Sequence, residues 1–222
     1  MSNFAIFRVQ KLKSGSRGSG TLGQTLKHLK NHLDSAEISK KDMSKYNTLQ
    51  GCTDYKTVSK IINKFKKVHK ENNKRAVKKT ASVGLEFVFS YTADNNNQNM
   101  KFAEQFEKSI NNFMRKEFPN VQILVVARHT DEKSFHWHLV VIPYDRQKKR
   151  FSAKDLLGGP REMSKLQDSF AECCKSLDLQ RGISKKITKS NHKTKQEYNR
   201  QKLLQQEQQL KEATQVRDEV LR

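Results

Sequence analysis

From Phe4 to Val9 two sets of side chains alternate, Phe4, Ile6 and Arg8 against Ala5, Phe7 and Val9, until the GSRGSG run Gly15–Gly20 ends the pattern. That is the signature of a strand followed by a flexible loop. Leu22, Leu26, Leu29 and Leu33 then recur at helical spacing and predict a helix with one buried stripe. His28 and His32 lie off that stripe, one turn apart, and are presented to whatever flanks the helix. Residues 36–53 are polar and irregular. A second helical pattern carries Tyr55, Val58, Ile61, Ile62, Phe65 and Val68 into a basic stretch. Leu85, Phe87, Phe89 and Tyr91 alternate with Glu86, Val88 and Ser90 as in a strand with one apolar face. Phe102, Phe106, Ile110, Phe113 and Met114 mark a long amphipathic helix that stops before Pro119, and VQILVVARH and HWHLVVIP read as two further strands. The order β-α-α-β-α-β-β, closed by helices, predicts an α+β fold: a central, largely antiparallel sheet with helices packed mainly on one face.

Composition adds an extension and a partner. From about residue 193 the chain is rich in Gln, Glu and Lys with few apolar positions. We therefore expect a domain over residues 1–195 and an exposed helix over 196–222, the start of a coiled-coil or dimerising region in a chain expected to continue past Arg222. The 222 residues hold 44 Lys and Arg against 23 Asp and Glu, a net charge of +21, which points to a polyanion and first of all to nucleic acid. The basic side chains cluster at residues 11–17, 64–79 and 146–150. Cys52, Cys173 and Cys174 form no disulfide framework and no CxxC pair, so a cytoplasmic setting is expected. The short apolar start, broken by Arg8, resembles neither signal peptide nor membrane anchor, and the chain contains no long apolar run.

The stretch ARHTDEKSFHWHLVVIP, residues 127–143, carries the densest chemistry. His136 and His138 share one face of a strand, with Trp137 and Leu139 on the other. Trp137 is accordingly expected in the core and not as a base-stacking platform. His129 ends the preceding strand, in phase with Val121, Ile123, Val125 and Ala127, and the TDEKSF turn folds it back beside them with Asp131 and Glu132 above. Three imidazoles brought together with an open position suit a divalent ion: manganese first once an oxygen donor joins, with magnesium or zinc as alternatives.

His129-Thr-Asp-Glu132 followed by His136-Trp-His138 and LVVIP resembles the HxDExxPHxH(x)nVP metal motif of the Mob/Pre (MobV) plasmid mobilisation relaxases, within the His-hydrophobe-His endonucleases. FAIFRVQKLKSG with LGQTLKHLKN is similar to that family's first motif, a strand and Gly-containing loop leading to a helix with the catalytic histidine, which falls on His28. The likeness extends through LQDSFAECCKSLDLQRG, over roughly residues 4–195. Three positions depart from the pattern. Phe135 replaces the motif's proline, Asn31 stands where an arginine is usual, and Tyr46-Asn47-Thr48-Leu49 matches the second motif only loosely.

The resemblance implies a relaxase that nicks one strand of single-stranded or supercoiled origin-of-transfer DNA. His28 forms a covalent link to the 5′-phosphate that religation later reverses. It implies an ion held by His129, His136 and His138, with Glu132 taking the nucleophile's proton or completing the coordination sphere, and Asp131 orienting a ligand histidine from outside. DNA contacts are expected at Lys11, Lys13, Arg17, Lys27, Lys30, Asn47 and Arg75, and a type IV secretion coupling protein and a second copy, through the C-terminal helix, are the expected protein partners. His32, one turn past His28, is the rival nucleophile, followed by Tyr46, Tyr55, Tyr91, Tyr144 and Tyr198. Two other function classes remain open: a rolling-circle replication initiator with a tyrosine nucleophile, and a non-cleaving DNA-binding regulator with a structural metal.

Overall fold

The computed structural model describes residues 3–32, 38–92, 94, 97–183, 187 and 195–220. Its first unit, residues 1–182, is built on a six-stranded sheet. Strand β1 (Phe4–Lys13) leads to helix α1 (Leu22–Lys30), a 3-10 turn (Lys41–Tyr46), β2 (Thr48–Gly51), α2 (Tyr55–Asn73), β3 (Ser82–Tyr91), α3 (Met100–Glu117), β4 (Gln122–His129) and β5 (His136–Ile142). A small hairpin, β6 (Tyr144–Asp145) with β7 (Arg150–Phe151), precedes α4 (Ala153–Leu157), α5 (Pro160–Cys173) and β8 (Gln180–Arg181). Across the sheet the order is β2-β4-β5-β3-β1-β8, and every pairing is antiparallel except that of β1 with β8. The expected α+β class and antiparallel sheet hold.

The helices, however, cover both faces. One face buries Phe7, Phe87, Phe89, Trp137 and Leu139 against Phe106, Ile110 and Phe113 of α3 and Phe170 of α5. Its rings meet edge to face as well as stacked, Phe113 and Phe170 at 5.2 Å and 68°. Trp137 lies in this core as expected, 1% exposed, its indole N–H donating to Glu107 Oε2 at 3.2 Å. The other face buries Leu12, Val125, Ala127, Val140 and Ile142 under Leu22, Leu26 and Leu29 of α1 and Val58 and Ile62 of α2. Beyond His138, strand β5 is apolar on both sides, and a strand of that kind must be covered twice.

Other departures are local. The polar 36–53 segment contains the short edge strand β2, which pairs Thr48 through Gly51 with Arg128 through Val125. Four residues carry too little alternation to announce a strand. In β4 the register slips between Ile123 and Val125, a β-bulge. Val125, Ala127 and His129 therefore share the second face, whereas Val121 packs into the first core and Ile123 is left 40% exposed, so the expected common phase stops at Val125.

The Gly15–Gly20 loop is closed on itself. Lys13 N–H donates to Gly20 O at 2.9 Å, Thr21 Oγ1 to Gly18 O at 2.7 Å, and Gly23 N–H to Gly15 O at 2.9 Å. Gly23, in the first turn of α1, must be glycine for a steric reason, because a Cβ there would sit 2.5 Å from Ser16 Cα and 2.8 Å from Gly15 O. The second unit, residues 183–222, contains helix α6 (Lys195–Val220), in which Leu203, Leu204 and Leu210 are exposed. Leu33, expected on the α1 stripe, and Arg222 lie outside the described residues.

Candidate metal centre

Five of the seven histidines converge at the end of the second face that α1 and α2 leave uncovered. Strand pairing places three of them. His129 is directly opposite His136 across β4 and β5, and His138 lies opposite Ala127 and Val88. Their ring centroids are 4.9 to 5.0 Å apart, and one donor nitrogen from each lies within 4.8 Å of the others. His69 is elsewhere: its Nδ1 accepts from Phe151 N–H at 3.1 Å and joins α2 to β7. His192 lies outside the described residues.

The tautomers of His138 and His136 are set by their outer partners. His138 Nδ1 is 2.8 Å from Glu86 Oε1, and since a carboxylate only accepts, this nitrogen carries the proton. Nε2 is left with a lone pair, buried and with no hydrogen-bond partner among the described residues. His136 Nδ1 donates to Ser134 O at 3.0 Å, which frees Nε2, 3.2 Å from His129 Nδ1. Burial, then the adjacent imidazoles of His138, His136, His32 and His28, push His129 far below the ordinary histidine range. Burial and then His138 lower His136 to about 4, against the opposing Ser134 carbonyl. Neutral rings with inward lone pairs are the state that binds a divalent ion. The orphaned Nε2 of His138 and its Glu86 support are what a metal ligand requires, so this donor set fits a divalent cation: zinc, or manganese once an oxygen donor joins.

His28 sits in the last turn of α1, exposed, its ring 6.2 Å from that of His138 and 6.4 Å from that of His129. With His138 it lines a cleft of about 650 Å³ that runs to Gly18, Gly20 and Gln10. His32 takes a different path. Helix α1 ends at Lys30, and His32, 5% exposed, turns inward to stack on His129 at 3.5 Å. Its Nε2 donates to Asp131 Oδ1 at 2.8 Å. Asp131 thus supports His32 and not a member of the expected triad. Its other oxygen accepts from Ser44 Oγ and Asn47 Nδ2, each at 2.7 Å. Burial opposes ionisation of Asp131, but the hydrogen bonds from His32, Ser44 and Asn47 outweigh it and hold the carboxyl below its usual range.

Asn47 also accepts from Thr130 N–H at 2.8 Å, so this expected DNA contact fastens the turn after β4. Glu132 Oε1 lies 3.7 Å from His32 Nδ1 and 4.0 Å from His136 Nε2. Lys11, Lys13, Arg17, Lys27, Lys30 and Arg75 are all exposed. Among the rival tyrosines, Tyr91 and Tyr144 are buried, the Tyr55 hydroxyl accepts from Gly15 N–H at 3.1 Å, and Tyr46 is 37% exposed. Glu86 was not singled out by sequence; the signal that could have found it is a lone carboxylate on a largely apolar strand.

Three imidazoles on paired strands, beside a helix-borne fourth, form a cluster of the His-hydrophobe-His kind that could hold a metal ion. The chain belongs to the Mob_Pre family, described as plasmid recombination enzyme, which matches residues 1–200. The plasmid recombination enzyme type 3 of Mammaliicoccus lentus is 28% identical over 207 residues, covering 88% of this chain and 47% of that protein. A plasmid recombination enzyme of Lactiplantibacillus plantarum is 27% identical over 204 residues, covering 85% and 51%. The chain thus spans about half the length of the curated relatives it matches. The fold is that of the MobM relaxase domain, in a Mn-bound crystal structure with plasmid pMV158 oriT DNA, at a TM-score of 0.68 and 22% identity over 89% of this chain and 98% of that one. No helix among the described residues is long and apolar enough to cross a membrane.

Proposed function

We propose that this chain is a relaxase domain that nicks one strand of origin-of-transfer DNA for plasmid mobilisation, with His28 as nucleophile. The observation that carries this reading is the exposed His28 lining one cleft with His138, its ring 6.2 Å from that of His138 in the three-histidine cluster. A divalent ion held by His129, His136 and His138 would supply Lewis-acid polarisation of the scissile phosphate, and with an oxygen donor added to the three nitrogens manganese suits the set first, with magnesium or zinc as alternatives. The residues do the rest. A ring nitrogen of His28 attacks phosphorus through its lone pair, the P–N bond forms as the P–O3′ bond breaks, the other ring nitrogen gives up its proton, and the departing oxygen takes one from water to become a 3′-hydroxyl. Attack by that hydroxyl reverses the sequence and religates the strand. Glu132 has two available roles, taking up the His28 proton or donating to a cation, and its place against His32 and His136 favours the second.

The exposed Lys11, Lys13, Arg17, Lys27 and Lys30 neutralise strand phosphates on the way to the cleft. A second copy through α6 and a secretion coupling protein belong to the same proposal.

The test is incubation with supercoiled plasmid carrying candidate origins, with and without Mn²⁺, followed by denaturing separation and mass analysis of the linked peptide. The expected product is a Mn²⁺-dependent nick with the 5′-phosphate on the peptide containing His28, and His28→Ala binds the strand but forms no adduct. An adduct on a tyrosine would move the nucleophile. Binding to origin DNA without any cut would make the chain a regulator.

A further inference from the structure

Two buried nitrogens in this pocket have no hydrogen-bond partner among the described residues and sit on rings built the same way. His138 Nε2 is one, with Glu86 on the opposite nitrogen; His32 Nδ1 is the other, with Asp131 on the opposite nitrogen. A carboxylate behind an imidazole fixes the tautomer and raises the basicity of the free nitrogen, and that arrangement typifies metal-ligating histidines. His32 has it in fuller form than His138, because Ser44 and Asn47 hold the second Asp131 oxygen. Nδ1 lies 3.7 Å from an oxygen donor, Glu132 Oε1, and the ring is stacked on that of His129, so the two lone pairs meet on one ion when either ring turns out of the stack. One donor atom from each of His32, His129 and Glu132 lies within 4.8 Å of the others. All three side chains are buried or nearly so, with Glu132 at 14% exposure.

We propose that His32 is a donor to a second seat for a divalent cation, formed with His129 and Glu132, which overlaps the three-histidine seat at His129. The set has two nitrogens and one oxygen, and suits the borderline and harder divalent ions, Mn²⁺ and Zn²⁺ among them. Because His129 belongs to both, the seats are alternatives for one ion. A cation that loses a ligand on the β5 side stays in the pocket by moving toward the α1 side. The inference rests on the metal-centre reading above.

The test separates the two. Mn²⁺ alone is titrated calorimetrically into the metal-free full chain, and wild type is expected to take one ion. No binding would remove the metal-centre reading itself. His136→Gln, and independently His138→Gln in case either variant folds poorly, disables the three-histidine seat and spares the other. Both are expected to keep a weaker Mn²⁺ site. Adding His32→Gln to either is expected to lower the remaining affinity by about tenfold or more. In ¹⁵N spectra of the His136→Gln chain with Zn²⁺, His32 Nδ1 is expected to move to the metal-bound range while Nε2 keeps its proton. Equal affinity with and without His32, or an unmoved Nδ1, would overturn the second seat and leave the three-histidine centre standing.

Discussion

Glu86 shows how much of a site depends on one side chain that touches no substrate. Its Oε1, 2.8 Å from His138 Nδ1, decides which nitrogen of that ring faces the centre. Glu86→Leu removes the acceptor, releases the tautomer and leaves a buried N–H unpaired; Mn²⁺ affinity is expected to fall about 10- to 100-fold, read by calorimetry, with Glu86→Gln in between. Unchanged affinity in a folded Glu86→Leu chain would show that the tautomer is set by something else. At this scale the sequence was legible where side-chain period alone decides the outcome. His136, His138 and Trp137 point where alternation puts them. It was less legible where placement depends on register between strands or on a helix end. Glu86 meets His138 only through the pairing of Glu86 with Val140 and Val88 with His138. His32 is buried only because α1 stops two residues before it, which its regular leucine spacing did not indicate.

Among the elements, α1, which bears the proposed nucleophile, and the loop before it fit tightly at one point. An alanine methyl at Gly23 meets backbone atoms of Ser16 and Gly15, which have no rotamer to yield, so the loop or the first turn of the helix must shift. Gly23→Ala is expected to cost about 1–3 kcal/mol of stability, measured by denaturant unfolding, as overpacking does elsewhere. Because the same turn sets the start of the helix bearing His28, the adduct yield is expected to fall as well. A variant as stable as wild type would mean that the loop gives way freely. The Gly and Ser run announced a loop in the sequence but not its closure, since the bonds end on the carbonyls of Gly15, Gly18 and Gly20 and, apart from the Thr21 hydroxyl, are donated by backbone N–H groups common to every residue. The bulge in β4 escaped for a similar reason: ILVVA is apolar throughout, and such a run does not reveal where one extra residue is inserted.

For the molecule as a whole, gathering the imidazoles into one pocket makes its stability depend on pH. In the folded, metal-free chain His136 titrates at about 4 against an ordinary 6.5, because burial and the neighbouring His138 both oppose its charge. Between those two values the unfolded chain binds a proton that the folded chain refuses, so stability is lost as pH falls from 6.5 toward 4 and levels off below. Each pH unit in that window costs about 1.4 kcal/mol for this group, on the order of 3 kcal/mol across it. His129, lowered by the same burial, acts in the same direction, and Asp131, whose pKa is also depressed, adds a further loss at the acid end. The melting temperature of the metal-free chain is therefore expected to drop steadily from neutral pH to pH 4.5, while Mn²⁺ added at pH 7 raises it by binding the folded form alone. A flat profile over that range would mean that the rings reach water or share a proton more easily than their packing implies. The pH at which the empty pocket is most stable is then also the pH at which its ligands are neutral, so acid weakens the fold and the grip on the ion through the same protons.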